Sequence, residues 1–124
     1  MNTKYTEEQV WIRPDGADGE TATIGITPHA QDALGDIVFV DLPAIGAEIA
    51  QKAVAGVVES VKTAADVYMP ASGVVTEVNE DLRADPSLAN SDPLGNGWFF
   101  KVKLTQATEL AGLMDETTYA KFEA

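Results

Sequence analysis

The shortness of its apolar runs limits most strongly what this chain can become. The stretches 37–42, 57–61, 67–69, 74–78 and 98–104 are rich in Val, Ile and aromatic residues, with Pro43, Gly46, Pro70, Gly73 and Gly97 between them. Runs of this length and type form strands. Many short strands with Gly/Pro turns indicate an all-β sandwich or barrel, not an α/β fold. Within that pattern, Val57-Val58-Glu59-Ser60-Val61 and Val67-Tyr68-Met69 read as a hairpin with Lys62 at its tip. The linking Lys62-Thr63-Ala64-Ala65 has no Asn-Gly or Asp-Gly, so a four- or five-residue loop is expected. A lysine held between two rigid strands and fully exposed suits a side chain that carries something.

The rest of the chain reads in the same terms. Residues 9–13 and 21–26 form a hairpin around a long loop at 14–19. Asp15, Asp18 and Glu20 lack the order of a calcium loop and read as a solvated acidic turn. Thr27 as N-cap, Pro28 at the first helical position and Gly35 at the end predict a short helix. A strand at 36–42, a turn at Ile45-Gly46 and a short strand near 47–50 lead to the lysine hairpin. Residues 80–90 are polar, with a turn or helix start at Asp85-Pro86. The last strand, 98–104, places Phe100, Val102 and Leu104 on the core side and Lys101 and Lys103 opposite. Leu110, Leu113 and Met114, then 117–122, predict short helices that cap the sheet.

One domain spanning 1–124 is expected from the length of 124 residues, enough to bury about two thirds of the unfolded surface. Without cysteine the chain forms no disulfide, thiolate metal site or cysteine nucleophile. The net charge of −12, from 20 acidic and 8 basic residues, argues against nucleic acid as a partner. No apolar run is long enough to span a membrane. The start Met1-Asn2-Thr3-Lys4-Tyr5 resembles neither a signal nor a transit peptide, and a cytoplasmic setting is expected.

Catalytic constellations are scarce. The single histidine, His29, has Asp32 one helical turn on and reads as half of a surface pair. No serine sits in a nucleophile elbow, no glycine-rich loop opens a helix, and one histidine cannot anchor the usual metal sites. Asp115-Glu116 and Glu80-Asp81 read as solvated faces. Lys62 itself, exposed and unmodified, is a weak nucleophile at neutral pH. From its residues alone the chain reads as poorly equipped for catalysis, with Lys62 either an ordinary surface lysine or a point of covalent attachment.

Several ordered stretches resemble the H-protein family of the glycine cleavage system. They are Ala22-Thr23-Ile24-Gly25-Ile26-Thr27, the run from Leu34 to Pro43, Val57-Val58-Glu59-Ser60-Val61-Lys62, Pro70-Ala71-Ser72-Gly73, Val78-Asn79 and Gly97-Trp98. The resemblance covers about residues 20–124. It implies a small β-sandwich of the barrel-sandwich hybrid type, as in lipoyl and biotinyl carriers, with a few short peripheral helices. It implies lipoate attached to Lys62, with Gly46 and Gly73 at the glycine positions typical of lipoyl domains and Glu59 as a recognition residue for lipoylating enzymes. The implied role is a shuttle that is not itself a catalyst. A pyridoxal-phosphate P-protein decarboxylates glycine and passes on an aminomethyl group, a T-protein transfers the one-carbon unit to tetrahydrofolate, and an L-protein reoxidises the dithiol. The loaded arm in this family folds into a cleft, near which His29 and Asp66 are expected. A bacterial cytoplasmic monomer is implied, with neither nucleic acid nor membrane as a partner.

One departure stands out. Where the family has His-Glu-Trp, this chain has Gln9-Val10-Trp11, and Glu7 or Glu8 is the nearest replacement for the missing carboxylate. That change favours a second reading, an H-like donor or relay of lipoyl groups for other complexes. A third reading is an acidic interaction domain with Lys62 unmodified.

Overall fold

The computed structural model describes residues 3–15 and 20–123. Among these the elements run β1 (Lys4–Tyr5), β2 (Val10–Asp15), β3 (Thr21–Ile26), α1 (Pro28–Leu34), β4 (Ile37–Asp41), β5 (Glu48–Ile49), β6 (Val54–Ser60), β7 (Ala64–Tyr68), β8 (Gly73–Val78), α2 (Glu80–Ala84), α3 (Leu88–Ser91), β9 (Phe100–Leu104), a 3₁₀ helix (Ala107–Gly112) and α4 (Glu116–Glu123). The strands form two antiparallel sheets. One has the order β1-β2-β3-β9-β8-β5 and the other β4-β6-β7. The sheets close on one core, an open sandwich of the kind the apolar runs imply.

Alternation along the strands decides which face is buried. Phe100, Val102 and Leu104 of β9 point into the core while Lys103 is exposed. Ile12, Ile24 and Val75 join them from the larger sheet, and Val40, Val58 and Val67 oppose them from the smaller one. Each fully buried side chain of this size contributes about 1.5–3 kcal/mol.

Helix α1 forms where its end signals stand. The Thr27 hydroxyl accepts the Ala30 N–H at 3.1 Å, Pro28 opens the first turn, and Gly35 ends the helix at φ 83°. Seven residues are too few for a helix to stand alone in water. Ala30 and Leu34 pack against the core, and Asn90 secures the far end. The Asn90 amide donates to Gln31 Oε1 and to the Gly35 carbonyl, both at 2.9 Å, and its oxygen accepts the Ile37 N–H at 2.8 Å.

The structure corrects four details. Pro14 and Asp15 belong to β2, not to the loop. Pro14 lies beyond the two residues of β2 that β1 covers, at Trp11 and Ile12, where its missing N–H costs no ladder bond on that edge. The rest of that acidic turn, 16–19, lies outside the described residues. Residues 80–84 form a helix because the buried Asn79 caps it, accepting the Leu82 N–H at 3.3 Å. Asp115 is also a helix cap: its carboxylate accepts the Thr118 N–H at 2.7 Å. That bond, followed by the Thr118 side chain, lowers its pKa below the ordinary carboxylate value. The fourth detail concerns the lysine hairpin.

Candidate functional site

The turn between β6 and β7 is tighter than a four- or five-residue loop. Glu59 pairs with Ala64, and the Ser60 N–H donates to the Thr63 carbonyl at 2.7 Å. Ala64 and Ala65 therefore belong to β7. The reason is the Ser60 hydroxyl. It accepts the N–H groups of Lys62 at 3.2 Å and Thr63 at 3.1 Å and donates to the Thr63 carbonyl at 3.1 Å. A hydroxyl has one donor and two acceptor sites, so its capacity is used within the turn. Lys62 projects from the top of this knot, exposed to solvent.

Two supports hold the tip from the side. The Val61 N–H donates to the Asp36 carbonyl at 3.0 Å, joining the turn to the start of β4. The Lys62 stem lies over Gly35, where an added Cβ would stand 3.0 Å from Lys62 Cε. Gly35 thus serves as a helix terminator and leaves room for the lysine. Among the described residues the salt bridge that forms is Arg83–Glu80, so no carboxylate holds the Lys62 ammonium. An unpaired, exposed amine on a fixed turn is accessible to an enzyme that delivers an activated acyl group.

The other expected site residues divide into groups. Glu59 and Asp66 lie on the outer face of the three-stranded sheet, both exposed. His29 is exposed in the first turn of α1, roughly 9 Å along the axis from Gly35. No ion pair joins it to Asp32 among the described residues. Gly46 and Gly73 have backbone roles in the other sheet. Gly46 adopts φ 91° and donates its N–H to the Val75 carbonyl at 2.7 Å. A Cβ on Gly73 would meet the Lys103 carbonyl at 2.8 Å.

The departure at residues 9–11 acquires a definite shape. Val10 is 1% exposed and sits in the core. Glu7 and Glu8 are exposed in the preceding turn, and Glu8 borders a depression with Lys52 and Tyr68. Gln9, at φ 69°, ties three elements together. Its side-chain oxygen accepts the hydroxyls of Thr27, at 2.9 Å, and of Tyr119, and its carbonyl accepts the Thr27 N–H at 3.0 Å. Tyr119 in turn stacks on Tyr5 with ring centroids 4.3 Å apart. Sequence reading missed Ser60, Gln9 and Asn90 as supports of the site. Only Ser60, two residues before the exposed lysine, carried a usable signal.

With this geometry in place, comparison with known proteins is decisive. The family model described as Glycine cleavage H-protein matches residues 3–124. The chain belongs to the glycine cleavage H-protein family. A glycine cleavage system H protein of Chromobacterium violaceum is 58% identical over 118 residues, covering 95% of this chain and 91% of the relative. One from Marinobacter nauticus is 51% identical over 121 residues, 98% of this chain and 92% of the relative. The crystal structure of a glycine cleavage system H protein from Mycobacterium marinum superposes with a TM-score of 0.88 at 37% identity, covering 98% of this chain and 95% of that one. Membership covers both sheets and the lysine hairpin alike. Among the described residues of this H-protein family member, no cluster of His, Asp and Glu is arranged to hold a metal, and no helix is long and apolar enough to cross a membrane.

Proposed function

We propose that this protein is the lipoyl-bearing shuttle of a glycine cleavage system, with lipoate in amide linkage to Lys62. The single observation that carries the assignment is the unpaired Lys62 on its Ser60-knotted turn, in a chain of the H-protein family. The protein is a carrier component and not a catalyst. Bound at Lys62, the dithiolane supplies the sulfur chemistry that accepts the aminomethyl group of glycine. The chain's own residues present and orient. The knotted turn fixes where the arm starts, Gly35 lets the stem lie against the end of α1, and β6 and β7 hold both at a distance from the core.

Amide formation removes the lysine charge. Tethering replaces encounters with a free cofactor by a high effective concentration at each docked enzyme. The partners are the glycine decarboxylase, the aminomethyltransferase, the dihydrolipoyl dehydrogenase and the enzymes that attach lipoate. The chain acts as a single carrier domain in the bacterial cytoplasm. Intact mass of the protein from its native host tests the site. A lipoyl-sized increment lost in Lys62→Arg supports it, and an unmodified mass with lipoylating enzymes present refutes it.

The buried Val10 favours a second role as a lipoyl donor to other complexes, because no carboxylate stands at that position to line an arm cleft. Exchange of labelled bicarbonate into glycine, with purified lipoylated protein and glycine decarboxylase, separates the two. Full exchange supports the shuttle, and its absence supports the donor.

A further inference from the structure

The outer face of the three-stranded sheet is unusual in both its apolar and its charged residues. β4 reads as a continuous apolar strand, yet its register against β6 shifts between Ile37 and Phe39. A bulge of this kind adds a residue to one strand and re-aims side chains. As a result Val38 is 54% exposed and Phe39 49%, while Ile37 and Val40 stay buried. Val61, beside the lysine, is 67% exposed. The three positions are neighbours at one end of the sheet, because the Val61 N–H donates to the Asp36 carbonyl just before β4.

The charges around them have one sign. Phe39 stands opposite Glu59, Asp41 opposite Val57, and Val57 opposite Asp66. Side-chain alternation puts Glu59 and Val57 on one face, and Ala64 and Asp66 beside them. Glu59, Asp41 and Asp66 are all exposed, and no lysine or arginine lies on the three strands. Lys62 is the cation in the turn that joins two of them, and amidation of Lys62 removes its charge.

From this juxtaposition we infer that the bulged edge, Val38 and Phe39 with Val61, ringed by Asp41, Glu59 and Asp66, is a docking surface for a partner protein that presents an apolar hollow rimmed by lysine and arginine. The charge argument selects that occupant. A second copy of this chain would oppose carboxylates to carboxylates, and an anionic membrane would repel the same ring. Apolar anchors within a polar rim match the general anatomy of a specific interface. Docking here brings Lys62 to the partner's surface, so the inference rests on the carrier reading.

The test uses fully lipoylated protein, glycine decarboxylase from the same system, glycine and labelled bicarbonate, with the carrier concentration varied. The double variant Val38→Ser/Phe39→Ser is expected to raise KM for the carrier about tenfold, in the range of an interface anchor, with kcat unchanged. Asp41→Lys is expected to raise KM and to flatten its dependence on ionic strength. Both side-chain sets are solvent-exposed, so thermal midpoints should stay near wild type. If the double variant fails to fold, Asp41→Lys decides alone. Unchanged KM and unchanged salt dependence overturn the docking surface. So does a concentration-dependent dimer of the wild type that the double variant abolishes, since the patch would then face a second copy. Wild-type protein inactive in the exchange overturns the glycine cleavage shuttle reading and the docking surface together, whereas an active wild type with unmoved variants overturns docking alone.

Discussion

Ser60→Ala removes the hydroxyl that knots the lysine turn and leaves the strands intact. The structure sets the magnitude. The lost group serves Lys62 N–H, Thr63 N–H and the Thr63 carbonyl, all in an exposed turn that water can reach. Exposed hydrogen bonds are replaced by water, so the turn should lose about 1 kcal/mol in total, at the low end of the usual contribution of such bonds. A change of that size multiplies open turn conformations by about fivefold. Global stability, set by the core beneath Val58 and Val67, should barely move. Two measurements read the effect. Amide exchange at Lys62 and Thr63 should quicken while Val58 stays protected. Lipoylation of the unmodified variant, followed by intact mass over time, should slow by up to about fivefold, and Ser60→Thr should recover it. Exchange and lipoylation both at wild-type rates would refute the hydroxyl as the element that presents the lysine.

Other expectations follow from residues described above. Asn79→Ala should cost about 3 kcal/mol in urea unfolding, because it removes the cap of α2 and the two amide bonds, 2.8 Å each, to the carbonyls of Asn96 and Trp98. Gly25→Ala would place a Cβ 2.7 Å from the Trp11 ring, whose Nε1 donates to the Pro93 carbonyl, and should cost about 1–3 kcal/mol with a shift in tryptophan emission. Asp115, with its pKa lowered in the folded state, contributes stability that is complete above the unfolded carboxylate value and is lost as pH falls through the lower folded one. The tyrosine signal of the Tyr5–Tyr119 stack should therefore weaken in acid, and in Asp115→Asn it should lose that acid dependence.

Much of the fold was legible because its signals are local. Thr27, Pro28 and Gly35 bracket α1, and β9 alternates so regularly that its core face could be named. Lys62 was legible for the same reason, as the one cation between two strand-forming runs. What escaped depends on partners distant in sequence. β1 is two residues long and exists through pairing with Trp11 and Ile12 and with Met114. The α2 helix rests on a buried asparagine anchored by carbonyls 17 and 19 residues away. The exposure of Val38 and Phe39 follows from a register shift against β6, and nothing in Ile37-Val38-Phe39-Val40 marks the bulge. The short lysine turn was misjudged because its three residues, Val61, Lys62 and Thr63, lack φ-positive turn signals; a side-chain hydroxyl did the closing instead.

The order β4-β6-β7 also has a mechanical meaning. The strand leading up to Lys62 is the middle one, hydrogen-bonded to β4 on one side and β7 on the other. Traction on the lysine, as when a tethered arm is drawn out of a tight enzyme channel, runs along β6. It draws β6 and β7 together, because Lys62 sits in the turn that joins them, and so loads the β4–β6 ladder in shear along its length and not one bond at a time. A slip by one residue would also turn Val58 out to solvent and Glu59 into the core, so the strand resists small displacements as well as large ones.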